Sequence, residues 1–499
     1  MRNVARSLVL VTVDCLRADR VAGFGSPGTV TPFLDSLAGD SFVFRNAYAS
    51  GIPTYYSLPA LMASRYPLAL GRDVIGIAPR ESTIATELKE CGFQTAAFVA
   101  GNPYISSADG YGGGFDVFRN FLSAGEIDLI PDEDLLPRPA PSLRSRANRM
   151  LSRACHSLRG LGAAYDEIYF QYCQRSIRND GASFDSLRRF PSADLIVDCA
   201  IAWLQQNSAG PFFLWLHLMD PHAPYYPKAE ALEETGSELD SAEARRLNCF
   251  WAREGLNSRR LLKSRESVEF LYDAGVRWAD RQIGRLANKL VELSLWDQCV
   301  LAVTADHGEE FMEHGGRFHP PVNLHEELIR VPLLVRVPGH SQRRDLKQPI
   351  GLIDLAPTLF DVLDIPAPAS FRGRSCWRNL KHDEDWDWPV FTECAYACTN
   401  PFRAEARLAP RLLAVRKGKY KLVMNFATGV DHLFELGSGA GETSPLPLGA
   451  AGDARKHLLE CARKHVAESR KSRDLDLRLA AQARELRAEW AQTAPGRPN

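Results

Sequence analysis

The chain has 499 residues, of which 45% are hydrophobic and 24% are charged, and this is ordinary for a globular protein with one large domain and a smaller unit. Its 60 lysines and arginines against 61 acidic residues give a net charge of −1. This balance argues against a nucleic-acid partner and against binding to an acidic membrane surface.

The sequence carries no predicted membrane span and no predicted signal peptide. The apolar run Leu8–Val13 is too short to cross a bilayer, and Asp14 follows it where a cleavage site would need small residues. The 11 cysteines are scattered without a Cys-x-x-Cys pair, which favours reduced thiols over a disulfide framework. We therefore expect a cytoplasmic protein.

Short apolar runs rich in β-branched residues predict strands that are buried on both faces. They lie at Leu8–Val13, Thr95–Val99, Phe212–Leu216, Val300–Thr304 and Val331–Val335. Helical patterns lie between them, with Thr31 as a predicted N-cap before Pro32 and Ser192 as the N-cap of a helix that ends near Gly210. Alternating strands and helices predict an α/β fold with a largely parallel sheet covered by helices on both faces.

Changes of pattern along the chain predict two domains. We place the main domain at residues 1–388 and a small C-terminal α+β subdomain at 389–499, which ends in a charged helix over about Asp453–Trp490. Between about residues 120 and 190 prolines and a basic helical stretch interrupt the alternation. This segment is predicted to be an insertion over the sheet.

Polar side chains follow three of the predicted strands where each strand ends. Asp14 follows the first, His217, Asp220 and His222 follow Phe212–Leu216, and Asp306 with His307 ends Val300–Thr304. In an open α/β sheet, ligands bind in the crevice at the carboxyl ends of the strands. Three distant segments are therefore expected to bring carboxylates and imidazoles to one edge.

Two interpretations of Asp14 and of the pair Asp306–His307 stay open at this point. Carboxylate oxygens with one imidazole suit a divalent cation such as Ca²⁺, Mn²⁺, Mg²⁺ or Zn²⁺. Alternatively, Asp14 or Asp306 caps a helix N-terminus, with Glu309 and Glu310 interacting favourably with the helix dipole.

Seven short motifs follow one another in a fixed order. Asp-Cys-Leu-Arg-Ala-Asp at 14–19, Thr-Pro-Phe-Leu-Asp-Ser-Leu-Ala at 31–38 and Phe-x-Asn-Ala-Tyr-Ala at 44–49 begin the series, and His217–Pro224, Asp306–Glu310, Glu326–Pro332 and Asp354–Leu359 continue it. In this order they resemble the arylsulfatase-like proteins of the sulfatase family, within the alkaline-phosphatase superfamily. The resemblance covers roughly residues 7–440.

The resemblance implies a role for each matching residue. Asp14, Asp306 and His307 match the family's metal ligands, and Thr54, registered on Leu61-Met62 and Ser64–Pro67, takes the nucleophile position beside the metal. Further matches concern the substrate: His222 and His319 match groups that bind the ester or protonate its leaving group, and Asn102 and Tyr104 match a substrate-binding Lys/His pair.

Three departures from the family pattern concern the chemistry. Sulfatases usually convert a Cys or Ser nucleophile into formylglycine, a conversion that Thr54 cannot undergo. Tyr56 and Leu58 replace the Pro and Arg of the nucleophile signature, and Cys15 replaces the second Asp of an Asp-Asp pair. The resemblance therefore implies an ordinary ester on Thr54 that is later cleaved by water or another acceptor.

The expected function is metal-dependent hydrolysis of a sulfate or phosphate ester of a small molecule, saccharide or lipid. Three alternatives stay open. The protein could transfer the Thr54-bound group to an alcohol, or it could be a catalytically weak binding protein. Thr54 could merely cap the helix that follows it. A second metal held by Asp220, His222 and His319 is a further possibility.

Overall fold

The computed structural model describes residues 6–24, 30–71, 74–122, 161–177, 183–437 and 442–471, with residues 150, 151, 154, 155 and 157. Its strands are β1 Ser7–Val13, β2 Phe42–Phe44, β3 Ala47–Tyr48, β4 Gln94–Val99, β5 Val117–Asn120, β6 Phe212–Leu218, β7 Cys299–Ala305, β8 Glu310–Phe311, β9 Arg317–Phe318, β10 Arg330–Val331, β11 Leu333–Arg336, β12 Arg344–Leu346, β13 Ile350–Gly351, β14 Val390–Ala395, β15 Arg411–Lys417, β16 Tyr420–Asn425 and β17 Val430–Glu435.

The helices are α1 Pro32–Leu37, α2 Thr54–Ala63, α3 Ile84–Glu90, α4 Leu161–Ser176, α5 Phe184–Leu187, α6 Ala193–Asn207, α7 Ala229–Glu234, α8 Ser241–Ala252, α9 Ser258–Glu292, α10 Glu326–Ile329, α11 Leu355–Val362, α12 Trp377–His382, α13 Ala404–Arg407 and α14 over 452–471. Short 3₁₀ turns lie at Ala18–Arg20, Ala22–Phe24, Ala38–Asp40, Trp296–Gln298 and Leu352–Asp354. Among these helices none is both long enough and apolar enough to span a membrane.

The main sheet has the strand order β12-β2-β11-β7-β1-β6-β4-β5. Strands β7, β1, β6, β4 and β5 run parallel, and β1, β6 and β7 are buried along their whole length. Helices cover the sheet, so the predicted α/β class is confirmed. Purely apolar strands of this kind need both faces covered, which explains why their sequences do not alternate.

The register of β1 with its two neighbours positions the polar residues that follow. Val13 pairs with Leu218 of β6 and with Ala305 of β7. Asp14 and Asp306 therefore leave the sheet from adjacent strands at the same level. One strand further, the pairing of Val99 with His217 brings the end of β4 to this edge.

The strand predicted at Val331–Val335 is divided by Pro332. Val331 belongs to β10, which pairs with β3, whereas Leu333 starts β11, which lies antiparallel to β7. Proline has no N–H to donate to a ladder, so one continuous strand is disfavoured at this position. The prediction of a single strand was therefore wrong here.

The two predicted helix starts are confirmed with Thr31 and Ser192 at the N-cap positions, but the hydrogen bonds that cap these helices come from other residues. Neither Thr31 nor Ser192 accepts a capping hydrogen bond. The N–H groups of Phe33 and Leu34 donate instead to Asp280 of α9, at 2.9 and 2.8 Å. Similarly, Asp220 accepts from the first N–H of α6. A distant carboxylate can satisfy orphan helix N–H groups as well as an adjacent hydroxyl can.

The C-terminal part contains a four-stranded antiparallel sheet, β14-β15-β16-β17, and α14 lies against it. The proposed domain boundary at 388 falls just before β14 and stays a prediction. Residues 123–149 and 178–182 of the predicted insertion lie outside the described residues, as does the chain from 472 onward, which includes the end of the predicted charged helix.

A buried ion cluster ties this C-terminal sheet to the main domain. Glu393 of β14 is fully buried, accepts from the backbone N–H of Leu68 at 3.1 Å, and lies 3.0 Å from His465 of α14 and 3.2 Å from Arg411. Burial alone would raise the pKa of Glu393, but Arg411 and His465 hold it at about 2. Three segments therefore depend on one carboxylate.

We expect Glu393→Gln to lower the free energy of unfolding by about 3–5 kcal/mol at pH 7, because it leaves Arg411 and His465 without their counter-charge. Since the folded-state pKa is below that of the unfolded chain, the stabilisation is complete above the ordinary value of 4.5 and is lost as the pH falls towards 2. Urea unfolding at several pH values should show the difference shrinking below about pH 4.5. A pH-independent difference would contradict the electrostatic explanation.

Candidate active site

The ends of β1 and β7 place three of the predicted metal ligands together. Asp14, Asp306 and His307 are fully buried. The Nε2 atom of His307 lies 3.8 Å from Asp14 Oδ1 and 3.5 Å from Asp306 Oδ2. Asp306 Oδ1 accepts the backbone N–H of His307 at 2.9 Å, which directs its other oxygen towards the space that the three side chains share.

The donor atoms fit a divalent cation. His307 Nδ1 donates to the carbonyl oxygen of Gly308 at 2.8 Å, so in the neutral ring Nε2 carries a lone pair that faces the two carboxylates. Asp306 Oδ2 is buried without a hydrogen-bond partner. An acceptor lone pair beside buried carboxylate oxygens is a costly arrangement unless a cation lies between them.

Thr54 lies beside this group at the first position of α2. Its Oγ1 is 3.3 Å from His307 Nε2 and donates to Asp14 Oδ2 at 3.4 Å. The N-cap residue is Pro53, and no side chain caps the helix. The interpretation of Thr54 as a helix cap is therefore wrong, and its hydroxyl points to the predicted metal ligands. One turn on, Ser57 donates to the carbonyl of Asp306 at 2.6 Å and fixes the helix to this edge.

Cys15, which replaces the family's second Asp, is a neutral neighbour of this group. Its backbone has φ = 61°, and its Sγ donates to Asp14 Oδ1 at 3.0 Å. Burial, with the nearby charges of Glu309 and Asp14, raises the pKa of the Cys15 thiol well above its ordinary value. The thiol thus stays protonated and adds no negative charge.

The alternative in which Asp306 caps a helix is wrong. Residues 306–309 form an irregular segment before β8, and no helix follows in the described chain until α10. Gly308 is needed for a different reason: a Cβ atom there would lie 1.9 Å from the carbonyl oxygen of Glu327. The N–H groups of Gly308 and Glu309 donate to α10, at Leu328 and Glu327. Asp14 does not cap a helix either, since the 3₁₀ turn after it begins at Ala18 and has Arg17 as its N-cap residue.

His222 and His319 face the same space from other loops, with ring centroids 5.1 Å apart. His222 Nδ1 donates to the carbonyl of Ala223 at 2.5 Å, and His319 Nδ1 donates to Glu309 Oε1 at 3.2 Å. Burial lowers the pKa of His222. Burial would also lower the pKa of His319, but Glu309 raises it above its ordinary value. The two imidazoles therefore differ in their tendency to hold a proton.

Asp220 does not join these histidines. It accepts from Arg188 at 2.6 Å and from the backbone N–H of Ala193 at 3.0 Å, and so it orients α6. The second-metal site of Asp220 with His222 and His319 is not formed.

The predicted substrate-binding pair divides between two positions. Asn102 donates its amide N–H to Asp14 Oδ2 at 3.1 Å and is almost fully buried. Tyr104 stacks on Phe402, with ring centroids 5.6 Å apart, and lines the open space above the site.

An open cavity of about 300 Å³ lies over Thr54. Its wall combines aromatic, imidazole and proline side chains with two arginines, and the lining residues include Thr54, Tyr55, Asn102, Tyr104, Arg189, Phe190, His222, Arg317, Phe318 and His319. Arg189 is exposed, whereas Arg317 donates to the carbonyls of Trp251 and Arg253. The exposed guanidinium of Arg189 is thus available to a ligand in the cavity.

Three residues near the site were not predicted as part of it, and a fourth, His217, was expected at this edge but was given no role. Arg189 and Arg317 carry no motif and reach the cavity only through the fold. Glu309 was interpreted as a dipole partner, but it holds His319. His217 lies 3.3 Å from Asp14 Oδ2 and 2.8 Å from Thr12 Oγ1. The sequence feature that could have indicated a role for His217 is its position near the end of an apolar strand, because a buried polar side chain there needs a hydrogen-bond partner.

Comparison with known proteins agrees with this architecture. The family model described as Sulfatase matches residues 6–365, and the one described as N-sulphoglucosamine sulphohydrolase, C-terminal, matches residues 313–444. An arylsulfatase of Clostridium perfringens (strain 13 / Type A) is 23% identical over 427 residues, covering 76% of this chain and 81% of that protein.

Two solved structures share the fold. Phosphonate monoester hydrolase of Agrobacterium radiobacter aligns with a TM-score of 0.63 at 18% identity, covering 94% of this chain and 96% of that one. A protein in complex with its substrate D-glucosamine-2-N,6-O-disulfate aligns with a TM-score of 0.63 at 15% identity, covering 94% and 98%. With the match of the Sulfatase family model over most of the sequence, these findings show that the chain belongs to the sulfatase family.

Proposed function

We propose that this protein hydrolyses a singly charged sulfate or phosphate ester through a covalent intermediate on Thr54. The observation that carries the proposal is the position of Thr54 Oγ1, 3.3 Å from His307 Nε2 and 3.4 Å from Asp14 Oδ2 at the floor of an open cavity. A hydroxyl at this point can be deprotonated and can reach a bound ester.

Asp14, Asp306 and His307 would hold a divalent cation, and Thr54 lies close enough to share it. When bound, such an ion lowers the pKa of a nearby hydroxyl and neutralises charge on ester oxygens. Ca²⁺, Mn²⁺, Mg²⁺ and Zn²⁺ all accept carboxylate ligands, and the single imidazole is the softest ligand of the set. Asn102 and His217 hold the Asp14 carboxylate in place by hydrogen bonds.

In the first step, Thr54 Oγ1, which has lost its hydroxyl proton to solvent, forms a bond to sulfur or phosphorus while the bond to the leaving oxygen breaks. The leaving oxygen takes a proton from an imidazole. His319 is suited to donate it because Glu309 stabilises its protonated form. His222, held by Ala223, directs Nε2 towards the ester oxygens and orients the substrate.

In the second step, water attacks sulfur or phosphorus and Thr54 Oγ1 is released. The imidazole that lost its proton in the first step can accept one from this water. Formylglycine hydrates instead release sulfate by elimination, which requires a second hydroxyl on the nucleophile carbon. Threonine has a methyl group there, so cleavage by water or another acceptor is the remaining route.

The charges around the cavity favour a substrate with one negative charge. Leu58 stands where the family signature has arginine, and Asn102 and Tyr104 stand where it has a Lys/His pair. A cation at the site would be balanced by Asp14 and Asp306, and Arg317 is held by the carbonyls of Trp251 and Arg253. His319 and the exposed Arg189 are therefore the cationic groups free to contact the substrate. Sulfate monoesters, phosphodiesters and phosphonate monoesters carry one charge, and the last class matches the name of one structural neighbour.

A side-by-side assay of the purified protein tests the proposed function. With 4-nitrophenyl leaving groups on all substrates, we expect turnover of the sulfate, the phosphodiester or the phosphonate monoester with kcat/KM at least tenfold above that of the phosphate monoester. Arg189→Ala should raise KM with little change in kcat, because the side chain is exposed and away from the reacting atoms. Equal or faster turnover of the phosphate monoester would contradict the charge argument. Tight binding of all four without turnover would indicate a binding protein.

Thr54→Ser should keep measurable turnover, because serine supplies a hydroxyl at the same place. Thr54→Asn should fold with unchanged thermal stability and have no turnover. Mass spectrometry of wild-type protein quenched during turnover should show a sulfated or phosphorylated peptide that contains Thr54. Addition of an alcohol acceptor during turnover distinguishes transfer from hydrolysis by the product formed. An active Thr54→Asn protein would refute the assignment, and Ser57 would then be the next residue to test.

His319→Ala should lose roughly 10²–10⁴-fold in kcat/KM for a poor leaving group and much less for 4-nitrophenol, because a good leaving group needs no proton. His222→Ala should lose activity about equally for both if it only orients the ester. His382→Ala, which removes an exposed histidine of α12, is the matched control. If His319→Ala lost the same factor with both leaving groups, proton donation by His319 would be wrong and only positioning would remain.

A further inference from the structure

A second group of metal-ligand side chains lies on the far side of the segment that carries Asp306 and His307. His314, from the turn between β8 and β9, meets His325 and Glu327 at the start of α10. His314 Nε2 lies 3.3 Å from Glu327 Oε1, and His325 Nδ1 lies 3.7 Å from the same oxygen. The two imidazole rings are close together, with centroids 3.6 Å apart.

The polar atoms of this group face one another without ordinary hydrogen bonds. The Glu327 side chain is only 8% exposed, and its Oε1 is buried without a hydrogen-bond partner among the described residues. In the same part of the chain, His325 Nδ1 is likewise buried without one. Buried polar atoms in native proteins nearly always have partners, so an orphaned carboxylate oxygen beside an orphaned imidazole nitrogen requires an explanation.

The separations from Glu327 are close to those of ligands around one tetrahedral ion. Imidazole nitrogens and carboxylate oxygens bind Zn²⁺ at about 2.0–2.2 Å, so two ligands at tetrahedral corners lie about 3.3–3.6 Å apart. The two distances to Glu327 Oε1 are 3.3 and 3.7 Å, and all three candidate atoms lie within 4.8 Å of one another. We propose that His314, His325 and Glu327 bind a second divalent metal ion, most suitably Zn²⁺, at a site separate from the catalytic one.

The nearby charged side chains pair with one another and do not neutralise Glu327. Lys421, the nearest buried lysine, pairs with Glu326 at 3.1 Å and Glu442 at 2.7 Å. Of the other nearby carboxylates, Glu310 accepts the backbone N–H of His314 at 3.2 Å, and Glu313 pairs with Arg17 at 2.7 Å. Throughout the described ranges, His314 and His325 are the only basic side chains within 4.0 Å of Glu327.

An ion could reach this site from solvent. His314 and Glu327 line an open cavity of about 530 Å³ at the junction of α10 with the C-terminal sheet. Three protein ligands leave one tetrahedral position for water, and the cavity has room for it. The site therefore has its ligands, matching distances and an entry path.

The position of the site predicts a structural role. The carbonyl oxygens of Glu327 and Leu328 accept the N–H groups of Glu309 and Gly308, the residues directly after His307. The backbone at Glu327, whose side chain is a proposed ligand of the second ion, thus holds the segment that follows the proposed catalytic ligands Asp306 and His307. An ion that fixes Glu327 to His314 would join this loop to the β8–β9 hairpin that precedes His319.

The test is metal content and affinity, not activity. Protein freed of metal with a chelator and dialysed against Zn²⁺ should bind two ions per chain by inductively coupled plasma mass spectrometry. Asp306→Ala should retain one ion, and a His314→Ala/His325→Ala variant should also retain one. All three substitutions together should leave none. His382→Ala, at an exposed histidine outside both groups, should still bind two.

Glu327→Gln, which keeps the size of the side chain, tests the site if the double histidine variant does not fold. In the Asp306→Ala background it should weaken binding of the remaining Zn²⁺ at least about tenfold and abolish most of the Zn²⁺-dependent rise in melting temperature. Asp306→Ala protein that binds no Zn²⁺, or whose affinity is unchanged by Glu327→Gln, would overturn the second site. Full metal retention by Asp306→Ala alone would instead contradict the proposed catalytic ligands, so the two failures are distinguishable.

Discussion

The arrangement of the candidate active site depends on one constraint: the negative charges of the buried carboxylates Asp14 and Asp306 must be neutralised. The parallel register of β1 with β7 carries Asp14 and Asp306 out of the sheet at one level, fully buried and beside one another. No lysine or arginine in the described parts of the chain pairs with either side chain; their neighbours are imidazoles, amides and a hydroxyl. Like charges in such a place are tolerated only with a cation nearby, and the atoms around them are arranged as ligands for one.

That constraint explains why so many side chains converge on Asp14. Asn102 donates to Asp14 Oδ2, and His217 Nε2 and the Thr54 hydroxyl lie at 3.3 and 3.4 Å from the same oxygen. Cys15 Sγ donates to the other carboxylate oxygen, Oδ1. Although burial would raise the pKa of the Asp14 carboxyl, the imidazoles of His222, His217 and His307 hold it well below its ordinary value. The acid is thus kept ionised while the thiol beside it is kept neutral. The replacement of a second aspartate by Cys15 therefore removes one negative charge from this group.

The segment from β7 to α10 connects the catalytic edge with its support. Gly308 allows the backbone after His307 to lie directly against Glu327, at a distance that no side chain would permit. Glu309 then turns back to hold His319, and Glu327 turns away to meet His314 and His325. One short peptide contact is thus shared by the proposed catalytic residues on one side and the proposed structural ion on the other. The positions of the proposed catalytic residues should consequently depend on the second metal site, although that site does not contact the ester.

The fold class and the gathering of polar residues at one sheet edge could be read from the sequence. Unbroken apolar runs require strands covered on both faces, and carboxylates directly after such strands reach the same edge whatever the loops do. This rule alone predicted that Asp14, Asp306 and His307 lie at the same sheet edge. The position of Thr54 beside them was predicted only from its alignment with the family motif. Pro332 also marked a strand break that could have been foreseen, since proline cannot donate to a ladder.

Contacts between residues far apart in the chain were decided only by the tertiary structure. Capping of α1 by Asp280 and of α6 by Asp220 replaced the local caps that the sequence favoured, because a carboxylate from a distant part of the chain can satisfy the same N–H groups. The same holds for Glu309 with His319 and for His314 with Glu327. The sequence determined which residues could carry chemistry and on which elements they lie. Only the packed structure decided which of them meet, because hydrogen bonds and ion pairs depend on distances in space that no local pattern records.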